Sequence, residues 1–103
     1  MSFLSFLKGQ FVKIWGGPGE NFGEFTSPKV VHRHEQFFYI GDNRNVSVLN
    51  TEGICLQRIP ESAASSPWAG YNDGEFCEIS GICLVGEKIY VTDYYGHRLQ
   101  AFR

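Results

Sequence analysis

The chain repeats itself, and a repeat of this length leaves few folds open. Residues 25–42 read FTSPKVVHRHEQFFYIGD and residues 76–93 read FCEISGICLVGEKIYVTD; they superpose without a gap at an offset of 51. Phe25 meets Phe76, Val31 meets Ile82, Phe38-Tyr39-Ile40 meets Ile89-Tyr90-Val91, and Asp42 meets Asp93. A Gly-Glu pair precedes each copy, Gly23-Glu24 and Gly74-Glu75. A second match, at an offset of 44, lays residues 9–15 (GQFVKIW) over residues 53–59 (GICLQRI). The difference, 51 − 44 = 7, is a seven-residue insertion between Ile59 and Phe76. One unit is present twice, with a longer loop the second time.

Inside the unit the residue types are those of strands. Phe37-Phe38-Tyr39-Ile40 and Ile89-Tyr90-Val91-Thr92 are β-branched and aromatic, which suits a pleated, half-buried surface. His34-Glu35-Gln36 and Gly86-Glu87-Lys88 precede these runs as short turns. Val46-Ser47-Val48-Leu49 and Leu99-Gln100-Ala101-Phe102 supply a third strand, and Thr51-Glu52-Gly53 turns into a fourth at residues 54–59. No stretch sustains a 3.6-residue apolar period, so essentially no helix is expected. An aromatic content of 16% and 12 scattered glycines fit many short strands joined by tight turns. The expected fold is all-β: blades of four antiparallel strands, two blades per chain, as in a β-propeller.

Residues 89–102, IYVTDYYGHRLQAF, resemble the core of the NHL repeat: a strand ending in Asp, a turn carrying Gly-His-Arg, and an aliphatic-polar-aliphatic-aromatic strand. GEFCEISGICLVGEKIYVTD extends the resemblance upstream. The first copy departs from it, since Asp42-Asn43-Arg44-Asn45-Val46 is two residues shorter and lacks Gly-His-Arg. The resemblance implies propeller blades and says little about function. Asp93, Gly96, His97 and Arg98 are expected to brace this hairpin. Asp93 accepts from turn amides, Gly96 takes a positive φ, and Arg98 reaches back toward Asp93.

Two blades leave two large apolar faces uncovered, and repeats of this kind need about three or more copies to be stable. Residues 9–16 read as a fourth strand without its blade, residues 23–60 as one blade, and residues 76–103 as strands one to three of another. Joined head to tail, the first of these would complete the last blade of a neighbouring copy. Such a contact is heterologous and must close into a ring. A dimer would give four blades and a trimer six; NHL propellers are commonly six-bladed, which favours the homotrimer. The rival expectation is an excised piece of a longer NHL protein. The resemblance of residues 3–6 to a lost third strand mildly favours that rival, while the initial Met and the complementary ends oppose it.

Blade geometry places the fourth-to-first connections and the second-to-third turns on one face. Trp68 and Tyr71 on the inserted loop, Tyr94 and Tyr95 on one turn and Arg44 on another are therefore the candidate ligand-binding residues. His32 and His34 alternate on the inner strand, and Cys83 holds the place equivalent to His32. The three are weak metal candidates by residue type, in line with NHL-like enzymes that hold metal in the central channel. No cofactor is expected. No catalytic residue is assigned: Ser62, Ser65 and Ser66 lack a nucleophile elbow, and no phosphate-binding glycine pattern is present. Nine Lys and Arg against eleven Asp and Glu, unclustered and with a net charge of −2, disfavour nucleic acid and anionic membrane.

Residues 1–8 are apolar but lack a basic leader, and no stretch reaches the length of a membrane span. Cys55, Cys77 and Cys83 make an odd count without CxxC spacing, which points to reduced thiols and a cytoplasmic protein. The expected function is a non-enzymatic binding or scaffold ring that presents an aromatic face to a protein or small ligand. The alternatives are a small metal-dependent lyase or hydrolase using the channel, or a fragment of a larger NHL protein.

Overall fold

The computed structural model describes residues 8–60 and 73–103, and within them the fold consists of strands and turns with no helix. Seven strands form two antiparallel sheets. The first holds β1 (Pro28–His34), β2 (Phe37–Asp42), β3 (Asn45–Leu49) and β4 (Cys55–Ile59) in sequential order. The second holds β5 (Ile79–Val85), β6 (Lys88–Asp93) and β7 (Arg98–Phe102), also in order. Both are meanders, as expected when each strand meets the next through a tight turn. Residues 9–17 form no ladder here; the fourth strand read from residues 9–16 is thus not a strand in the single chain, because a strand exists only against a paired edge. No described helix is long and apolar enough to cross a membrane.

Register repeats with the sequence. Val31 faces Ile40 and Arg33 faces Phe38 in the first sheet, as Ile82 faces Val91 and Leu84 faces Ile89 in the second. Each inner strand carries an irregularity at the same place, between Pro28 and Val30 and between Ile79 and Gly81. Because directly opposed residues share a face, every sheet has a front and a back. The front carries Val31, Arg33, Phe38 and Ile40 in one copy and Ile82, Leu84, Ile89 and Val91 in the other.

The core lies where the back of the first sheet meets the front of the second. Val46, Phe76, Ile79, Ile89 and Val91 are buried together, with Tyr39, Ile59, Ile82, Leu84 and Phe102 packed around them. Full burial of such side chains contributes about 1.5–3 kcal/mol each, so this single contact does most to hold the two sheets together. Gly41 makes the approach possible: a Cβ there would stand 2.8 Å from Ile79 Cγ2 and 3.2 Å from Ile82 Cδ1. Its cross-strand partner is Val30. The second sheet exchanges the sizes, pairing Gly81 with Thr92 at the equivalent positions.

The first hairpin turn also differs between copies in residue but not in shape. Glu35 has φ 57° where its equivalent, Gly86, has φ 61°. An L-residue in this left-handed region is strained by roughly 1–2 kcal/mol, a cost that Gly86 avoids.

Candidate functional site

Each sheet carries a buried aspartate at the end of its second strand, and both do the same work. Asp93 accepts hydrogen bonds from the amides of Cys77 (2.8 Å), Glu78 (2.8 Å) and Gly96 (3.2 Å). Asp42 accepts from the amides of Thr26 (3.0 Å) and Ser27 (2.6 Å) and from the Thr26 hydroxyl (3.3 Å). Thr26-Ser27 lies over Cys77-Glu78 at the offset of 51. The carboxylates therefore fasten the segment that leads into each inner strand to the far end of the second strand. Both are almost wholly buried, and a charged acceptor there makes stronger bonds than a neutral one.

The Gly-His-Arg turn differs from the sequence expectation at Gly96. Gly96 does not take a positive φ; His97 does, at 52°. Gly96 is needed for room, because a Cβ at that position would come within 2.5 Å of Asp93 Oδ2. Arg98 reaches the connector: Nη2 donates to the Glu75 carbonyl at 2.8 Å and Nη1 lies 3.7 Å from the Asp73 carboxylate. Gln100 supports the same connector, donating to the Glu75 carbonyl and accepting from the Gly74 amide, both at 2.7 Å. His97 is exposed.

The turn face is built by these clamps. The Asn43 carbonyl accepts from the Ile79 amide at 2.7 Å, and the Tyr94 amide donates to the Glu78 carbonyl at 2.8 Å. The Asn43-Arg44 turn and the Tyr94-Tyr95 turn thus both abut Glu78-Ile79. Lys29 and Glu78 form an ion pair across the two sheets. Tyr94 and Tyr95 pack edge to face, with centroids 5.0 Å apart, and both are largely exposed, as is Arg44. Trp68 and Tyr71, and with them Ser62, Ser65 and Ser66, lie outside the described residues.

His32 and His34 are half-buried on the back of the first sheet, and Cys83 is exposed at the equivalent place on the second. Among the described residues, no three His, Cys, Asp or Glu side chains gather as a metal site would require. Tyr39, between the sheets, has its pKa raised from the ordinary 10.0, first by burial and then by the nearby Glu35 carboxylate.

Two features escaped the sequence reading. Glu78 and Asn43 are the backbone junctions that bring the turns together; the alignment already sets Glu78 over Ser27, one residue beyond a clamped Thr26, but not what it touches. Trp15 is the other: its ring meets Phe38 edge to face at 5.1 Å. The match of residues 9–15 to residues 53–59 was the available signal.

No curated protein and no solved structure matches the chain. Residues 76–102 match the family model of the NHL repeat. The match runs from Phe76, at the start of the clamped connector, to Phe102, at the end of β7, and so covers the whole three-stranded second sheet together with the Asp93 clamp, which makes this part of the chain similar to an NHL repeat.

Proposed function

We propose that the protein is a non-enzymatic binding or scaffold module, an NHL-like propeller assembled from identical copies. The ring presents the aromatic turn face to a protein or small ligand. One observation carries this reading: equivalent positions of the two sheets are covered in one copy and open in the other, with Ser47 and Leu49 of the first front the buried exceptions. Val46, on the back of the first sheet, has no exposure, whereas its equivalent Leu99 is 61% exposed. Ile82, on the front of the second sheet, packs on the core, whereas its equivalent Val31 is 65% exposed. The chain makes the back-to-front contact once and keeps one back and one front for the same contact with a neighbour.

A back-to-front contact between copies is heterologous, and it closes or it makes fibres. Propellers of four to eight blades close, so a trimer of two-blade chains gives six and a dimer four. Six is the favoured ring. Tyr94, Tyr95 and Arg44 would recur three times on one face and bind a multivalent partner with added avidity.

Light scattering on a sizing column, over a dilution series, tests the assembly. A single species at 3 × 11.7 = 35.1 kDa is expected. A species at 23.4 kDa would replace the trimer by a dimer, and a folded 11.7 kDa monomer would overturn the ring.

A further inference from the structure

We infer that residues 10–15 of one copy add as a fourth strand to β7 of the next copy, in the register that β4 uses on β3. The inference rests on the ring reading above and specifies its interface. Within the first sheet Val46 faces Ile59, Ser47 faces Arg58, Val48 faces Gln57 and Leu49 faces Cys55. The turn after Asp93 is two residues longer than the turn after Asp42, so β3 maps onto β7 at 51 + 2 = 53, and β4 maps back onto the amino-terminal segment at 44. The transferred register pairs Leu99 with Trp15, Gln100 with Ile14, Ala101 with Lys13 and Phe102 with Phe11 of the neighbouring copy.

Three observations converge on this occupant. The segment is apolar and uncovered: Phe11, Val12 and Ile14 are 77%, 89% and 75% exposed. Such a stretch in water is an interaction site in want of a partner. Trp15, moreover, already stands where the fourth strand of a preceding blade belongs. Its ring packs on Phe38 of the first sheet, just as its equivalent Ile59 packs on the cluster that contains Ile89, the equivalent of Phe38. The segment is thus docked on the front of its own first sheet, and among the described residues its backbone joins no ladder, which suits it to the neighbour's β7.

Side-chain sizes agree as well. Within the chain, Ile79 sits over Gly41. Between copies the same pair becomes Pro28 and Thr92, a smaller group against a larger one, so the gap is kept. Pro28 has no N–H, and the bond from the Ile79 amide to the Asn43 carbonyl has no counterpart there. The added strand supplies backbone bonds of its own, the usual source of affinity when a strand joins a sheet edge.

The test uses two single-cysteine additions, Lys13→Cys and Ala101→Cys, both at exposed positions and both carrying Cys83→Ser, because Cys83 is itself exposed. Each variant is purified alone, the two are mixed, and the mixture is oxidised and run without reductant. Opposed residues of an antiparallel pair lie within the Cα separation that a disulfide needs. The expected result is a two-chain disulfide in the mixture that neither variant forms alone. Ile14→Cys replaces Lys13→Cys as the register control and should give several-fold less, because adjacent residues of a regular strand point to opposite faces. No two-chain product in the mixture, or an equal yield from Ile14→Cys, overturns the strand addition. Mass in solution is read on the same samples: a 35.1 kDa ring without the disulfide would leave the assembly standing and remove only this interface.

Discussion

Replacing Asp93 by Asn keeps the shape of the side chain and removes one acceptor. The carboxylate takes the Cys77 amide on Oδ2 and the Glu78 and Gly96 amides on Oδ1. An asparagine that keeps its oxygen at the Oδ1 position turns its NH2 toward the Cys77 N–H, donor against donor. One charge-assisted bond becomes a clash of dipoles, and two others fall from charged to neutral strength. At about 1.5–3 kcal/mol for a bond to a charged group and about 0.5–1.5 for a neutral one, the loss is about 3.5–6 kcal/mol. Asp42→Asn should cost less, about 3–4.5 kcal/mol, because the Thr26 amide lies within reach of both oxygens, at 3.3 and 3.0 Å, and can move to the one that remains. Urea unfolding of both variants at one chain concentration gives the comparison, since assembly makes stability depend on concentration. A loss below about 1 kcal/mol for Asp93→Asn, well short of the value for a buried charged acceptor, or a larger loss for Asp42→Asn, would refute the clamp.

Glu35→Gly should raise stability by a few tenths to about 1 kcal/mol, since relief of left-handed strain outweighs the added chain entropy; Gly86→Ala should lower it, and unchanged urea midpoints for both would contradict the shared turn geometry. Tyr39 has a raised pKa in the folded protein, so it binds its proton more tightly folded than unfolded. Its contribution is present below the unfolded value near 10.0 and is lost as pH climbs through the folded one. Tyr39→Phe should therefore flatten the fall in stability above that pH, and an alkaline limb identical to the parent's would refute the assignment.

How much of this was legible beforehand depended on how far apart the interacting residues lie. The strands were readable because their signal is local. Phe37-Phe38-Tyr39-Ile40 and Ile89-Tyr90-Val91-Thr92 state their conformation in residue type, and β2 and β6 contain them. The paired aspartates were visible through the offset, but not their main donors, which lie 15 and 16 residues away. Gly96 shows the limit most clearly. A glycine in a turn invites the inference of a positive φ, yet it is a carboxylate from the preceding strand that excludes a Cβ there, and His97 bears the strain instead. The exchange of Val30 and Gly41 for Gly81 and Thr92 is likewise invisible until the register sets them opposite each other. Trp68 and Tyr71 lie in the insertion, for which the repeat offers no template, whereas Tyr94 and Tyr95 are fixed by a turn on which the repeat imposes a shape.

The head-to-tail contact is tested most directly by breaking its two sides in separate chains. Val31→Asp places a charge on the open front of the first sheet, and Leu99→Asp places one on the open back of the second; both sites are exposed in the single chain. Light scattering is then run on the parent, on each variant and on an equimolar mixture. A back-to-front ring of three requires the parent at 35.1 kDa, each variant alone at 11.7 kDa, and a 23.4 kDa pair in the mixture, joined through the one sound front and the one sound back. Variants that remain at 11.7 kDa when mixed, or that assemble as the parent does, would contradict it.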